Sequence, residues 1–273
     1  MAERHGKTSV AVAGICGKMG METAAAIHGH PGLELSLGIE RPDHPLCGQV
    51  MKVDSADAGT PPAEVRVTDA SSAALEGLRV LVDFSSAQAA PGHAGLCASK
   101  GVAFVCGVTG MNESGMEALR LASEKVAVLY SPNMSAGINL LARLVGETAR
   151  RMSQGYDVEI VETHHKAKLD VPSGTAAMLA RRAARARGEN DNAIQVSRAA
   201  GSGRRREGAI AIHSLRGGDV AGEHCVSFIG VGETLTLSHR AHGRMAFARG
   251  VPLAIEFVSR AGPGFYTMED VLG

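Results

Sequence analysis

The stretch TSVAVAGICGKMGMETAAAIHGHPG, residues 8–32, decides the fold. Its first six residues, Thr8 to Ala13, are small or β-branched and read as a buried strand. Gly29, Pro31 and Gly32 close a helix-like run that starts near Met19. Between strand and helix lies Gly14-Ile15-Cys16-Gly17-Lys18-Met19-Gly20, a GxxGxxG variant of the dinucleotide-binding, or Rossmann, fingerprint. The chemistry explains the spacing. One glycine allows the tight turn, the next lets backbone amides approach a pyrophosphate, and the third lets the helix pack closely on the sheet. The helix N-terminus then favours the anion.

Reading outward, LELSLGIE (33–40) is a second strand that ends on Glu40, 20 residues past Gly20, where an acid would hydrogen-bond the ribose hydroxyls of an adenosine. Arg41 beside it offers a bidentate partner for a 2′-phosphate, and Lys18 adds charge to the same pocket, so both NADH and NADPH are chemically admissible. VRVT (65–68), VLVDFSS (80–86), AFVCGVTG (103–110) and AVLYSPN (127–133) are further apolar runs, the last three separated by helical segments. This alternation of strand and helix predicts a doubly wound parallel sheet. Gly107, Val108 and Thr109 end one strand and Ser131, Pro132, Asn133 and Met134 the next, so both turns should line the carboxyl edge that carries the glycine turn. There Asn133 could reach a nicotinamide carboxamide.

The pattern changes near Asn133. SAGINLLARLVGETARRM (135–152) is helical, YDVEIVETHH (156–165) is a strand, and SGTAAMLARRAARARG (173–188) is a helix with an N-cap at Ser173. GAIAIHSLR (208–216), EHCVSFIG (223–230) and ETLTLSHR (233–240) follow with little helix between them, so the second unit should be α+β with a mixed open sheet. RMAFARGVPLAIEFVSR (244–260) reads as one final apolar helix, and Arg204 to Arg206 as a solvated basic loop. These divisions give a dinucleotide-binding domain over 1–134, joined by 244–273, and a substrate-binding and oligomerisation domain over 135–243.

Composition narrows the function classes. The 28 basic and 28 acidic residues cancel, which gives no global field for nucleic acid or an anionic membrane, and 3% aromatic content removes most stacking side chains used on RNA. Cys16, Cys47, Cys97, Cys106 and Cys225 are scattered and lack CxxC spacing, so they read as reduced thiols, and no metal is expected. The start of the chain carries no signal-peptide core and no run long enough to span a bilayer, which points to the cytoplasm.

The segment ETHHKAKLDVPSGTA (162–176) holds the reactive groups. Alternation puts Val158, Ile160, Glu162 and His164 on one strand face. A loop carrying Lys166 and Lys168 leads to the helix N-terminus at Ser173, Gly174 and Thr175. The free amides and hydroxyls there make a site for a carboxylate, worth roughly 0.3–2 kcal/mol from the helix end alone. His164, His165 or Lys168 could supply protons to an acidic small molecule held at that end while the first domain presents a hydride donor.

This segment resembles the HHxxKxDxPSGTA hallmark of the dihydrodipicolinate reductase family. GICGKMG, the Glu40-Arg41 pair, VDFS (82–85), GVTG (107–110), PNMSAGIN (132–139), HSLRGGDVAGEH (213–224) and FYTMEDVL (265–272) are similar to family motifs in the same order across nearly the whole chain. The resemblance implies NAD(P)H-dependent reduction of a dipicolinate precursor to tetrahydrodipicolinate in lysine and diaminopimelate biosynthesis. It implies His164 as proton donor or acceptor, Lys168 as proton donor, and His165, Gly174 and Thr175 as contacts to a small dicarboxylate substrate. It also implies cofactor contacts by Gly14 to Met19, Glu40, Arg41, Gly107 to Thr109 and Ser131 to Met134, and a homotetramer built through the second domain's sheet. Val108 stands where many members have Thr, and Ser131 and Pro132 where others have small residues. Two other readings are another amino-acid-pathway dehydrogenase and a redox-sensing NAD(P)-binding regulator. The first, if it acted on a semialdehyde, would want a nucleophilic cysteine context that is absent. The intact His164, His165, Lys168 and Ser173 to Thr175 set argues against the second.

Overall fold

The computed structural model describes residues 6–71, 74–198 and 201–273; residues 1–5, with which the expected first domain begins and on which part of the leader reading rests, lie outside them. The chain divides into two compact units, one running through Ala136 and resuming over Phe247–Gly273, the other Gly137–Ala246. The first unit contains β1 (Thr8–Ala13), α1 (Lys18–His28), β2 (Leu33–Ile39), β3 (Val50–Val53), β4 (Ala63–Thr68), β5 (Val80–Asp83), α2 (Ala90–Lys100), β6 (Ala103–Cys106), α3 (Glu113–Ser123) and β7 (Ala127–Tyr130). The second contains α4 (Ala136–Arg151, its first residue counted with the first unit), β8 (Asp157–His164), α5 (Gly174–Ala186), β9 (Ile194–Val196), β10 (Ile210–Arg216), β11 (Gly222–Ile229) and β12 (Thr234–Ala241). α6 (Met245–Ala248), α7 (Val251–Val258), β13 (Gly264–Tyr266) and α8 (Met268–Leu272) complete the chain, with α7, β13 and α8 in the first unit.

Among the described residues the first unit builds an eight-stranded sheet in the order β13-β7-β6-β5-β1-β2-β4-β3. Every pairing is parallel except that of β3 with β4 at one edge. Both faces are covered, so the strands alternate between two cores instead of between core and water. Val10, Val12, Val80, Val82 and Val105 face α1 and α7 (Ala24, Ile27, Ala254, Ile255). Ala11, Ala13, Leu81 and Phe104 face α2 and α3 (Ala94, Cys97, Leu119, Ala122). The chain leaves β1 toward β2 on one side and returns to β5 on the other. That makes the carboxyl ends of β1 and β5 the switch point at which open α/β sheets bind ligands.

Among the described residues the second unit builds a mixed five-stranded sheet, order β12-β11-β8-β10-β9, with β8, β9 and β10 parallel and β11 antiparallel to both its neighbours. α4 and α5 cover one face and meet Val158, Ile160, Ile210, Ile212, Val226 and Phe228. No described helix is long and apolar enough to cross a membrane.

Two expectations are overturned. The run 244–260 is two helices, not one: Pro252, which has no amide hydrogen for the carbonyl four residues back, opens α7, and Gly250 before it passes so close to Met134 that a Cβ would sit 1.8 Å from its carbonyl oxygen. The Arg204–Arg206 loop is solvated at Arg204 and Arg206 but not at Arg205. Arg205 pairs with Asp157 at 2.8 Å and Glu159 at 2.9 Å, donates to the carbonyls of Val158 and Ala209, and so laces β8 to the loop before β10.

Candidate active site

In the first unit the glycine turn is shaped by close backbone approach. Gly14 has φ +72°, open to glycine at little cost, and a Cβ on it would lie 2.8 Å from the Phe84 carbonyl oxygen. A Cβ on Gly20 would lie 2.0 Å from the carbonyl oxygen of Gly14, the same oxygen that accepts from the Gly17 amide at 3.0 Å. No side chain caps α1, whose N-cap is Gly17. The helix end therefore keeps its donor character for an anion. Gly107 serves the same end: a Cβ there would be 2.2 Å from the Phe84 ring.

Glu40 lies against this turn, its Oε1 accepting from the Cys16 amide at 2.9 Å. Arg41 is exposed and pairs with Asp43 at 3.3 Å; Lys18 is exposed as well. The side chains of Ile15, Val108 and Met134 are core, which leaves only main chain at those positions to meet a ligand, while Thr109 and Pro132 are exposed. The Ser131 hydroxyl is turned inward, donating to the Asn133 carbonyl at 2.7 Å, and the Asn133 side chain accepts from the Ser135 amide at 3.0 Å. These local bonds build the turn after β7. The turn after β5 is built by a group that sequence reading missed. Asp83, fully buried, accepts from the Ser85 amide and from His93 on α2, both at 2.7 Å.

Two further features adjoin these turns. Cys16, Glu40 and His44, distant from any metal-ligand spacing in sequence, bring a thiol, a carboxylate and a ring nitrogen within 4.8 Å of one another. Burial, then the Glu40 carboxylate, raises the Cys16 thiol and keeps it protonated. A cleft of about 360 Å³ opens beside Gly110 and the start of α3, lined also by Gln88, Pro91 and Asn112. None of its lining residues is ionisable, so it offers no group for proton transfer.

That chemistry is concentrated in the second unit. The burial of β8 alternates, placing Val158, Ile160, Glu162 and His164 on the covered face. A carboxylate on that face must be paired. Oε2 of Glu162 meets His164 Nδ1 at 2.5 Å and Arg216 Nη1 at 2.9 Å, and Oε1 meets Arg216 Nη2 at 2.9 Å and the Ser173 amide at 3.2 Å. Burial works to raise the carboxyl, but these bonds, led by Arg216, outweigh it and hold Glu162 down at about 2. An ionised carboxylate only accepts, so His164 Nδ1 carries the proton in that bond. Burial in turn lowers His164, with Glu162 opposing, and pushes His224 down to about 4, so both rings are neutral at pH 7. The two rings meet edge to face at 5.2 Å.

Loop 165–172 is tied back on this frame. The Lys166 amide donates to the Gly218 carbonyl at 3.2 Å, the Gly217 amide to the His164 carbonyl at 3.0 Å, and Arg216 Nη2 to the Asp170 carbonyl at 2.6 Å. Lys168 pairs with Asp170 at 2.7 Å and His165 is half-buried. Ser173 departs from the expected free donor set. Its amide goes to Glu162, and its hydroxyl caps α5 by accepting from Ala176 N at 3.2 Å while lying 3.1 Å from His224 Nε2. Gly174 is exposed, and a Cβ there would meet nothing within 4 Å, so the helix start is open to a ligand at that residue.

A glycine-turn sheet unit, and a second unit that pairs a buried histidine and a lysine loop with an open helix end, point to the class of nicotinamide-dependent reductases of small molecules. Comparison with known proteins narrows the class. Residues 8–134 match the family described as dihydrodipicolinate reductase, N-terminus, and residues 137–272 that described as dihydrodipicolinate reductase, C-terminus. The 4-hydroxy-tetrahydrodipicolinate reductase of Thiobacillus denitrificans is 42% identical over 97% of this chain and 98% of its own length. That of Anaeromyxobacter sp. (strain Fw109-5) is 44% identical over 97% of each. The solved structure of a dipicolinate-bound dihydrodipicolinate reductase from Paenisporosarcina sp. TG-14 is similar with a TM-score of 0.78 and 25% identity, over 97% of this chain and 100% of that one. The chain belongs to the dihydrodipicolinate reductase family.

Proposed function

We infer that this chain is a 4-hydroxy-tetrahydrodipicolinate reductase, producing tetrahydrodipicolinate for lysine and diaminopimelate biosynthesis. The observation that carries the reading is the Glu162-His164 pair set beside the α5 N-terminus and the Lys168 loop, on a chain whose family is that of the reductase. When bound, NADH or NADPH supplies the hydride delivered to C4 of the substrate ring. The chain's own residues do the rest. The Gly174 and Thr175 end of α5, with Lys168 and His165, binds substrate carboxylates. Lys168 gives the proton that quenches charge developing on the ring as hydride arrives, and Nε2 of His164, which carries no proton in the neutral ring, is the atom that accepts one. Ser173, bonded to Glu162 and His224, shapes this end from beneath. Gly14 to Met19, Gly107 to Thr109 and Ser131 to Met134 hold the dinucleotide mainly through main chain.

Glu40 suits the free ribose diol of NADH, and Arg41, which must leave Asp43, suits the 2′-phosphate of NADPH, so both cofactors support turnover. The dinucleotide-binding domain is residues 1–134 with 244–273, and 135–243 forms the substrate domain. The face of the second sheet not covered by α4 and α5 carries exposed Val161, Leu215 and Ile229, which supports a homotetramer assembled through that sheet. We place the enzyme in the cytoplasm, where its cofactor is. The reading is tested by following NADPH oxidation started with the freshly made condensation product of pyruvate and aspartate semialdehyde. Oxidation matched mole for mole by tetrahydrodipicolinate supports it, and a stable NADPH signal refutes it. Light scattering that gave a monomer mass over a wide dilution range would remove the tetramer.

A further inference from the structure

One side chain joins the three parts of the second unit's chemistry. Glu162 is fully buried on β8, yet each carboxylate oxygen has two partners, and these come from three elements: His164 on the same strand, Arg216 on β10, and the Ser173 amide at the start of α5. Arg216 binds it as a fork, two parallel bonds at 2.9 Å, which fixes the plane of the carboxylate. The plane in turn fixes the imidazole. Because Nδ1 is committed to Glu162, the ring can exchange a proton only through Nε2. Around that atom the fold leaves room, since Gly222 on β11 stands where a Cβ would lie 3.1 Å from Nε2.

We propose that Glu162 is the positioning residue of this active site: held by the Arg216 fork, it sets the tautomer of His164 so that Nε2 is the proton-transfer atom, and it locks that ring to the substrate-binding end of α5. The proposal rests on the functional reading above and deepens it. It gives a use to a buried carboxylate that the packing of β8 alone would exclude, since an apolar residue on that face would stabilise the sheet without needing partners. It also accounts for Arg216, which touches no proposed ligand group and bridges Glu162 to the Asp170 carbonyl in the Lys168 loop.

The groups facing His164 are Glu162 on its own strand, Arg216 from β10, Lys168 from the loop and His224 from β11; behind His224 lies His239 of β12. Of these, Glu162 favours the protonated ring, and Lys168 and Arg216 oppose it. Glu162→Gln keeps the shape, removes the charge, and lets the amide donate to Nδ1, which moves the proton to Nε2. We expect kcat to fall on the order of a hundredfold or more. The limb of the kcat/KM pH profile that reports His164 should shift to lower pH, because the group favouring imidazolium has gone. NADPH affinity, measured by calorimetry, should stay unchanged.

A Glu162→Gln enzyme with wild-type kcat and an unshifted limb would overturn the proposal. Should that variant fail to fold, histidine nitrogen NMR of the wild-type enzyme decides the matter. At neutral pH His164 should be the Nδ1–H tautomer, and an Nε2–H resonance for it would overturn the assignment. If His164→Ala itself retains wild-type turnover, the functional reading fails first, an outcome distinct from a silent Glu162→Gln.

Discussion

Substituting Gly20 with alanine should separate the role of the glycine turn from that of an ordinary strand-to-helix connection. The added Cβ would stand 2.0 Å from the Gly14 carbonyl oxygen and 2.8 Å from Ile15 Cα, both backbone atoms. Clearing even the tightest tolerated contact requires the start of α1 to move by about 1 Å, and Gly14, already at φ +72° against Phe84, cannot give way. Overpacking of this kind costs roughly 1–3 kcal/mol. The shift also loosens the bond from the Gly17 amide to the same oxygen, for about 1 kcal/mol more. That total of roughly 2–4 kcal/mol is a loss of stability; because the displaced amides also lose their fit to a pyrophosphate, nucleotide affinity should fall on the order of tenfold or more for each charge-assisted hydrogen bond lost. Gly17→Ala is the internal control. Its Cβ would lie 3.2 Å from the Gly14 oxygen, so a few tenths of an ångström suffice and the cost should stay below about 1 kcal/mol. Calorimetric titration of NADH and NADPH into both variants, alongside urea unfolding, measures the two effects. Equal affinities for the Gly20→Ala and Gly17→Ala proteins would refute the argument that close approach at Gly20 shapes the site.

Three further outcomes are expected. Phe228→Ala, at a fully buried position in the second unit's core, should cost about 3–5 kcal/mol in denaturant unfolding, and a loss under 1 kcal/mol would mean that the cavity collapses or the core is packed otherwise. Glu162, held at about 2 against an ordinary 4.5, contributes stability that is complete above pH 4.5 and is lost as pH falls toward 2; Glu162→Gln should flatten the stability-pH curve in that window, and a parallel curve would deny the shift. Arg41→Ala should lower kcat/KM for NADPH more than for NADH, whereas an unchanged ratio would remove Arg41 from cofactor recognition.

Much of this was legible because the deciding signals are local. The first strand, glycine turn and helix lie within one stretch, and the alternation along β8 placed Val158, Ile160, Glu162 and His164 together before any long-range contact was known. The Ser173 cap is local too, three residues from the amide it receives. What escaped depends on partners far away in sequence. β3, β9 and β13 have three or four residues each and exist because a neighbouring strand accepts them. Arg205 reads as surface until β8, 46 to 48 residues earlier, supplies Glu159 and Asp157. The close approach of Gly250 to the Met134 carbonyl, which bars any side chain there, is visible only in the fold. Glu162 left a usable trace: a carboxylate on the buried side of an alternating strand demands a cation, although only the fold shows that it is Arg216, 54 residues on.

The account turns on proton transfer by His164 and Lys168 in a chain that also binds the hydride donor. The most direct test is single-turnover reduction of the pyruvate and aspartate semialdehyde condensation product by wild type, His164→Ala and Lys168→Ala, with NADPH affinity measured on the same preparations. The account predicts that both variants bind NADPH as wild type does and reduce substrate on the order of a hundredfold or more slowly. Near-wild-type reduction by both variants would contradict it, whatever their affinity for the nucleotide.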